Sequence, residues 1–300
     1  MSTTYYIMQL RKTLSEIIIF FETSDRKVYK QIDLSRALSK HHLTWNIYPD
    51  MPIKEFIKFL CEQSCLKKVE LIFGEPKSRK ETRYLWRDCS IYELVLSLKN
   101  LSYLTHHTAA YLHGLTKSTS TTIYLNFEQP KRLSTGVLSQ EAIDLAFRNS
   151  VRISHNTALY ENKTICLLNG MGTGRLGVIE LMREKGEALR LTGVERTLID
   201  IAVRPVYSGG VSEVLNIYRR AKMKISVKHL YELFKKMGYI YPYHQVIGFY
   251  LDRAGVYEEK DINLFSKINM PFNFYLTHKM GETFFSDKWK LFYPKEFDSI

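Results

Sequence analysis

Cysteine and long apolar runs are scarce in this chain of 300 residues, and each shortage excludes a class of protein. Four cysteines are too few for a secreted scaffold built on disulfides. The longest purely apolar run is Ile17 to Phe21, whereas a transmembrane helix needs about 20 such residues. The opening residues, MSTTYYIMQLRK, lack the cationic start and apolar stretch of a signal peptide. We therefore expect a cytoplasmic protein with no membrane partner.

Acidic residues are also in short supply, since 31 Asp and Glu face 43 Lys and Arg and leave a net charge of +12. A hydrophobic fraction of 45% excludes wholesale disorder. Excess positive charge favours a polyanionic partner, because phosphates attract Lys and Arg. The charge is densest in the segment KSRKETRYLWR and again over residues 219–236. A solvated surface is the alternative interpretation of both segments.

The first hundred residues read as three short helices followed by a hairpin. Apolar residues predict helices over 14–21 and 33–38, and Pro52 opens a third in PIKEFIKFLCEQS. Two β-like runs, 68–73 and 82–86, are joined by the turn segment GEPKSRKE. This order predicts a winged helix-turn-helix DNA-binding domain over residues 1–97.

Basic residues on the third helix, its exit and the hairpin are the candidate DNA contacts. In a winged helix the third helix enters the major groove, and the hairpin, or wing, touches the backbone. The candidates on the third helix and its exit are Lys54, Lys58, Lys67 and Lys68. Those on the wing are Lys77, Arg79, Lys80 and Arg83.

Residues 98–300 predict a second domain of mixed α/β structure, which makes the chain α+β as a whole. A helix runs from Ile91 to Lys99 into this domain, and TAAYLHGL predicts another. Short strands are predicted over 122–125, 151–153 and 164–168, with further strand-like runs over 272–276 and 289–293. The segments GVERTLIDIAVRP, GGVSEVLNIYRRAK, HLYELFKKMG and YHQVIGFYLDRAG predict helices.

Two motifs resemble catalytic or cofactor signatures. Residues 172–177, GTGRLG, match GxGxxG, but they lie in mid-chain and run into a predicted strand, so we interpret them as a turn rather than a nucleotide loop. Pro49-Asp50 followed by Glu75-Pro76-Lys77 imitates the PD…ExK pattern of metal-dependent nucleases. A proline inside that triplet, in a turn, argues against three rigidly placed groups.

Other polar clusters receive structural interpretations. His106, His107 and His113 have no cysteine or carboxylate nearby at metal-site spacing, and Cys61 with Cys65 makes half a zinc site at most. In ERTLID, Arg196 precedes Asp200 by four residues, which predicts an ion pair within one helix. We therefore predict no catalytic residue, no metal and no cofactor.

Four segments together resemble a known family. YLTHHTAAYLHGLT, the TGRLGV turn, GVERTLIDIAVRPVYSGGVSEVL and the closing KWKLFYP are similar to the AbiEi family, over roughly residues 100–295. Members of that family are antitoxins and transcriptional repressors of type IV toxin–antitoxin systems, linked to abortive phage infection.

The resemblance implies operator DNA and a toxin as partners. It implies that an N-terminal winged helix binds inverted repeats in the operon's own promoter. It also implies that the C-terminal domain neutralises an AbiEii-like nucleotidyltransferase toxin, sometimes without a stable complex. Within that domain, the candidate partner surface is Arg219, Arg220, Lys222 and Lys224.

Two alternative functions stay open at this point. One is a nuclease-like defence effector that uses Asp50, Glu75 and Lys77 or the acids of ERTLID. The other is a protein-interaction module without DNA binding.

Overall fold

The computed structural model describes residues 3–74, 78–130, 137–183 and 186–299. Within them the α-helices are α1 (Thr3–Thr23), α2 (Gln31–His41), α3 (Ile53–Glu62), α4 (Ile91–Leu96), α5 (His106–Leu112), α6 (Gln140–Arg148), α7 (Val194–Val203), α8 (Val211–Ala221), α9 (Val227–Met237), α10 (Tyr243–Ala254) and α11 (Glu259–Ser266). The strands are β1 (Val28–Tyr29), β2 (Leu66–Phe73), β3 (Arg79–Trp86), β4 (Tyr103–Leu104), β5 (Thr122–Glu128), β6 (Thr157–Tyr160), β7 (Lys163–Gly170), β8 (Val178–Met182), β9 (Ala188–Thr192), β10 (Phe274–Tyr275), β11 (Thr283–Ser286) and β12 (Leu291–Pro294).

The chain divides into two compact units. The first comprises Met1–Asn100 together with Asn156–Tyr160, and the second comprises Leu101–His155 and Glu161–Ile300. The division falls three residues beyond the predicted domain end at residue 97. The short segment that contains β6 belongs to the first unit, although the sequence placed it in the second.

The first unit packs α1, α2 and α3 beside an antiparallel sheet of order β1-β3-β2. Aromatic rings fill its core: Phe21 stacks on Trp86 at 4.7 Å, and Trp45 stacks on Phe56 at 6.1 Å. Helix α3 begins at Pro52, whose extended backbone supplies the N-cap. At that position proline loses no hydrogen bond, because the first amides of a helix have no partner within the helix.

The second unit contains strands in the order β7-β5-β4-β9-β8. The pairs β5–β7 and β4–β9 are parallel, while β4–β5 and β8–β9 are antiparallel. Helices α7 to α11 bury their apolar faces in one cluster with a small sheet of order β10-β12-β11. The architecture is therefore mixed α/β, and the part of the chain described includes no helix long and apolar enough to cross a membrane.

A slot in α10 holds the segment near residue 289. Gly248 faces Trp289 so closely that a Cβ at this glycine would lie 2.0 Å from a ring carbon of Trp289. The Gln245 amide donates hydrogen bonds to the carbonyls of Phe272, Trp289 and Lys290. One glycine and one amide on a buried helix thus fix the last strands of the second unit.

Several predicted elements differ from those observed. Helix α1 spans 21 residues, far beyond the predicted 14–21, and helices α6 and α11 were not predicted. The expected strand over 151–153 is wrong, because residues 151–156 form neither helix nor strand. Nearby, Ser154 donates its backbone N–H to the Tyr207 hydroxyl at 2.9 Å rather than to a neighbouring strand.

Candidate nucleic-acid interface

Helix α3 presents two lysines on a face that its apolar residues do not occupy. Phe56, Phe59 and Leu60 are buried, whereas Lys54 and Lys58, four residues apart, are exposed. Lys58 pairs with Glu62 at 4.0 Å, and both side chains are more than half exposed. Such a pair is worth little in water, so Lys58 is available to a phosphate.

The β2–β3 hairpin has two faces that differ in burial. Paired residues share a face, and the register pairs Leu66 with Trp86, Lys68 with Tyr84 and Ile72 with Lys80. This face is buried near the helices, at Leu66 and Trp86, and becomes exposed toward the turn. Strand alternation places Lys68 and Lys80 on this face, and both are exposed because they lie toward its turn end.

Glu70 lies between these two lysines and engages both. Its carboxylate oxygens are 2.8 Å from Lys68 Nζ and 2.7 Å from Lys80 Nζ. The hydrogen bond to Lys68, followed by that to Lys80, lowers the pKa of Glu70. Three charges thus carry a net charge of only +1. Sequence reasoning missed this acid, although Glu70 and Lys68, two residues apart on a strand, must share a face.

Two further hairpin cations, Lys67 and Arg79, are engaged within the first unit. Lys67 Nζ donates to the Tyr160 hydroxyl at 3.1 Å. Arg79 donates to Asn156 Oδ1 at 3.1 Å, and its guanidinium lies 4.5 Å from the Phe73 ring centre. Both side chains would have to leave these partners to reach DNA.

Arg83 is a structural residue, and its prediction as a DNA contact is wrong. The side chain is 2% exposed, because it lies on the hairpin face that Val69, Leu71 and Leu85 also occupy. Its guanidinium donates to Ser97 Oγ and the Ser97 carbonyl, both at 3.2 Å, and pairs with Glu81. The run of basic residues in the sequence did not show that strand alternation points the Arg83 side chain inward.

Lys77 and Glu75, which belong to the wing and nuclease predictions, lie outside the described residues. The third member of the nuclease pattern, Asp50, accepts a hydrogen bond from the Tyr6 hydroxyl at 3.0 Å. Among the described residues, no group of three His, Cys, Asp or Glu side chains could hold a metal ion. The histidines instead make local contacts, such as His113 Nε2 with the Thr192 carbonyl at 2.7 Å.

The predicted partner surface at the end of α8 is tied to its own unit. Arg220 donates to the Leu115 carbonyl at 3.3 Å, and Lys224 to the His113 carbonyl at 2.6 Å. Lys222 Nζ lies 5.1 Å from the Tyr257 ring centre, and Arg219 contacts Asn216. These four residues do lie on one continuous segment, and each has a local structural role as well.

The predicted ion pair within ERTLID is confirmed as a buried pair on α7. Arg196 Nε lies 2.8 Å from Asp200 Oδ1, and both side chains are less than one-tenth exposed. Burial alone would lower the pKa of Arg196, but Asp200, Tyr103 and Tyr239 together have the larger effect and raise that pKa. Thr105 Oγ1 donates to the second oxygen of Asp200 at 3.0 Å. Both acceptor oxygens of this carboxylate are thus satisfied inside the protein.

The GTGRLG segment is a turn around a carboxylate of the same chain. Glu128 Oε2 accepts the backbone N–H of Thr173 at 2.8 Å and that of Arg175 at 3.0 Å. Burial would raise the pKa of Glu128, but these bonds and that of the Thr173 hydroxyl lower it. The amides that a nucleotide loop offers to phosphate are therefore occupied. The prediction that this motif is a turn is confirmed.

Glycine at position 177 follows from the same network. Gly177 has φ +73°, and a Cβ there would lie 2.9 Å from Arg196 Cβ. Arg196 also donates to the Leu176 carbonyl at 2.6 Å. The last glycine of the motif thus lets the turn pack directly against the buried arginine.

Comparison with known proteins supports the fold of this chain and indicates no function. Neither the family models nor the curated proteins match this chain. Among solved structures, the chain is similar to the RV2827C protein from Mycobacterium tuberculosis, with a TM-score of 0.58 and 15% identity over 94% of this chain and 91% of that one. At that identity, the likeness extends to the fold alone.

Proposed function

We propose that this chain is a DNA-binding antitoxin of a type IV toxin–antitoxin system that represses its own operon. The observation that carries the DNA-binding half is the order of the first unit, α1-β1-α2-α3-β2-β3 with a β1-β3-β2 sheet. A winged helix has this succession of elements. In it α3 is the recognition helix and the β2–β3 hairpin is the wing.

The exposed cations of this unit have roles under the proposal. Lys54 and Lys58 face the major groove from α3, where lysine recognises guanine or phosphate. Lys68 and Lys80 contact the backbone and exchange Glu70 for phosphate oxygens. Arg83 holds the hairpin to Ser97 and does not contact DNA.

The DNA test measures the affinity of the full chain for the DNA upstream of its own gene by fluorescence anisotropy over a range of salt concentrations. With about five phosphate contacts, the slope of log affinity against log salt is about −4 to −5. The double variant Lys54→Ala/Lys58→Ala loses affinity, whereas the control Lys260→Ala/Lys267→Ala, two exposed lysines of the second unit, does not. Equal affinity for scrambled DNA contradicts sequence-specific repression.

The antitoxin half of the proposal is supported by the AbiEi resemblance of residues 100–295. Under it, the second unit counteracts a nucleotidyltransferase toxin in the cytoplasm and protects the population during phage infection. The cations at the end of α8, Arg219, Arg220, Lys222 and Lys224, are its proposed partner surface. The chain itself performs no catalysis in this proposal.

Growth rescue tests that half, with an AbiEii-like nucleotidyltransferase co-expressed as the toxin. The intact chain restores growth. Reversal of the four α8 cations to Glu abolishes rescue, while reversal of Lys228, Lys236, Lys260 and Lys267, all exposed, leaves it intact. Circular dichroism of each variant confirms that it folds. Failure of the intact chain to rescue growth contradicts the antitoxin function.

A further inference from the structure

A pocket of about 440 Å³ opens within the second unit, and its lining does not include Arg219, Arg220, Lys222 or Lys224. It lies among the end of α9, the following loop 238–242, the beginning of α10 and the segment 268–272. Binding sites for small molecules occupy roughly 300–1,000 Å³. The pocket is therefore large enough for a ligand of nucleotide class.

Aromatic side chains form the walls of this pocket. Tyr231, Phe234, Tyr239, Tyr241 and Phe272 all line it. The rings of Phe234 and Tyr239 are nearly parallel, with centres 5.9 Å apart and planes 19° from each other. Aromatic faces bind planar rings by stacking, which contributes about 1–3 kcal/mol per nucleobase in proteins that bind single strands.

His244 adds a polar requirement to these apolar walls. Its side chain lines the pocket, is 7% exposed, and its Nε2 has no hydrogen-bond partner in the part of the chain that the structure describes. Burial lowers its pKa to about 4, partly offset by the backbone of Asn269, so the ring is neutral at pH 7. In the neutral tautomer that carries its proton on Nδ1, Nε2 can accept a hydrogen bond. Nε2 is thus an acceptor that awaits a donor.

Lys235 adds a positive charge at the rim. It lines the pocket and is exposed, with Nζ 5.3 Å from the centre of the Tyr231 ring. The next residue, Lys236, is also exposed on α9 but is not part of the lining. A ligand with a negative group at its outer end would therefore meet one particular lysine of two adjacent ones.

We propose that this pocket binds a nucleotide, that is, a planar nitrogen heterocycle with an N–H donor joined to a phosphate. The base stacks among Phe234, Tyr239 and Tyr241 and donates to His244 Nε2, and the phosphate pairs with Lys235. Because Nε2 is buried, contact with the base requires local movement of the pocket wall. The site is separate from the proposed DNA contacts, and either proposal can fail without the other.

Titration calorimetry of the full chain with AMP, GMP, CMP and UMP tests the site, with the matching nucleosides and inorganic phosphate as partial ligands. At least one nucleotide binds with a Kd below about 1 mM. Its nucleoside binds at least about 5-fold more weakly, because the Lys235 pair is lost. Lys235→Glu weakens the nucleotide by a similar factor, while the matched control Lys236→Glu changes the Kd less than about 2-fold.

His244→Phe keeps a ring in the wall but removes the acceptor, and we expect about 5- to 10-fold weaker binding. Should that variant fail to fold, the ¹⁵N resonance of His244 Nε2 in the unaltered chain reports the same bond, since it moves on saturation with nucleotide. The proposal is overturned if none of the four nucleotides binds, if Lys236→Glu weakens binding as much as Lys235→Glu, or if the bound nucleotide leaves that resonance in place.

Discussion

Glu70 in the first unit and Glu128 in the second each hold several partners, yet their surroundings differ. Glu70 is 37% exposed and bridges two lysines that are themselves more than half exposed. Glu128 accepts two backbone amides and the Tyr103 hydroxyl, and joins the network of the buried Arg196–Asp200 pair. Ions from solvent can replace the exposed partners of Glu70, whereas Glu128 belongs to a network that includes a buried ion pair.

This contrast separates a surface that can bind from a core that holds the fold. Exposed ion pairs contribute little to stability and can be replaced by a phosphate. A buried pair that loses one member leaves an uncompensated charge, which is strongly destabilising. Both clusters centre on a glutamate, so the burial of the groups around it, rather than the glutamate itself, assigns their roles.

The largest expected effect comes from breaking the buried pair. Arg196→Ala leaves Asp200 without its partner and lowers the free energy of unfolding by about 3–5 kcal/mol. Arg183→Ala is the control, because Arg183 is 44% exposed where it pairs with Glu187 between β8 and β9, and it costs at most about 1 kcal/mol. Urea unfolding followed by circular dichroism measures both. Equal losses would show that the network does not stabilise the second unit.

A second test adds one methyl group to the turn. Gly177→Ala forces a Cβ against Arg196 at φ +73°, and we expect a loss of about 2–4 kcal/mol from backbone strain and overpacking together. Gly174→Ala has a similar φ of +68° but open space around the new Cβ, so it costs only about 1–2 kcal/mol. Thermal unfolding of the two variants separates contact from strain, and identical Tm values would contradict the packing argument.

A third test measures how the stability of the buried network depends on pH through His106. The Nδ1 atom of His106 lies 3.1 Å from Thr105 Oγ1, which donates a hydrogen bond to Asp200. Burial lowers the pKa of His106 from 6.5 to about 4. The folded chain therefore binds fewer protons, and the stability from the neutral ring is present above pH 6.5 and is lost as the pH falls toward 4. Between pH 7 and pH 5 this loss is about 2 kcal/mol. His106→Gln removes that part of the pH dependence in urea titrations; an unaltered pH dependence would contradict it.

The smallest effect is expected at the exposed cluster, and it has the opposite sign. Glu70→Gln frees Lys68 and Lys80, so operator affinity rises about 3- to 10-fold while the salt slope steepens by about one unit. Glu62→Gln, at the 4.0 Å pair with Lys58, is the control and changes affinity less. Anisotropy at 50 and 200 mM salt checks both. Weaker binding by Glu70→Gln would remove this hairpin face from the DNA-contact proposal.

Sequence reasoning located elements better than it located charges. The 3–4 spacing of apolar residues predicted α3, because such a stripe must be buried whatever it packs against. Strand register decided the fate of Arg83 and Lys80, three residues apart, one buried and one exposed. Which face of a strand is buried depends on the strands and helices that it packs against, and composition does not identify these. The basic run therefore could not show which of its side chains points inward.

The candidate sites divide in the same way. The Arg196–Asp200 pair was predictable, because i,i+4 spacing on one helix is enough to bring the two groups together. The Glu128 carboxylate in the GTGRLG turn was not, since the two lie 45 residues apart and meet only through the sheet. The pocket around His244 also comes from segments distant in sequence, and its aromatic residues read as ordinary core residues.

The slot in α10 sets an order of events during synthesis on the ribosome. The Trp289 ring lies in the space that Gly248 leaves, and the Gln245 amide binds carbonyls as far along the chain as Lys290. At about 5–20 residues per second, a few seconds pass between the appearance of this helix and that of its tryptophan. During that interval the helix has an apolar gap and an unsatisfied amide. If a ribosome stalls between residues 248 and 289, the second unit cannot complete its packing and is exposed to chaperones and proteases. Residues 1–100 have by then already been synthesised.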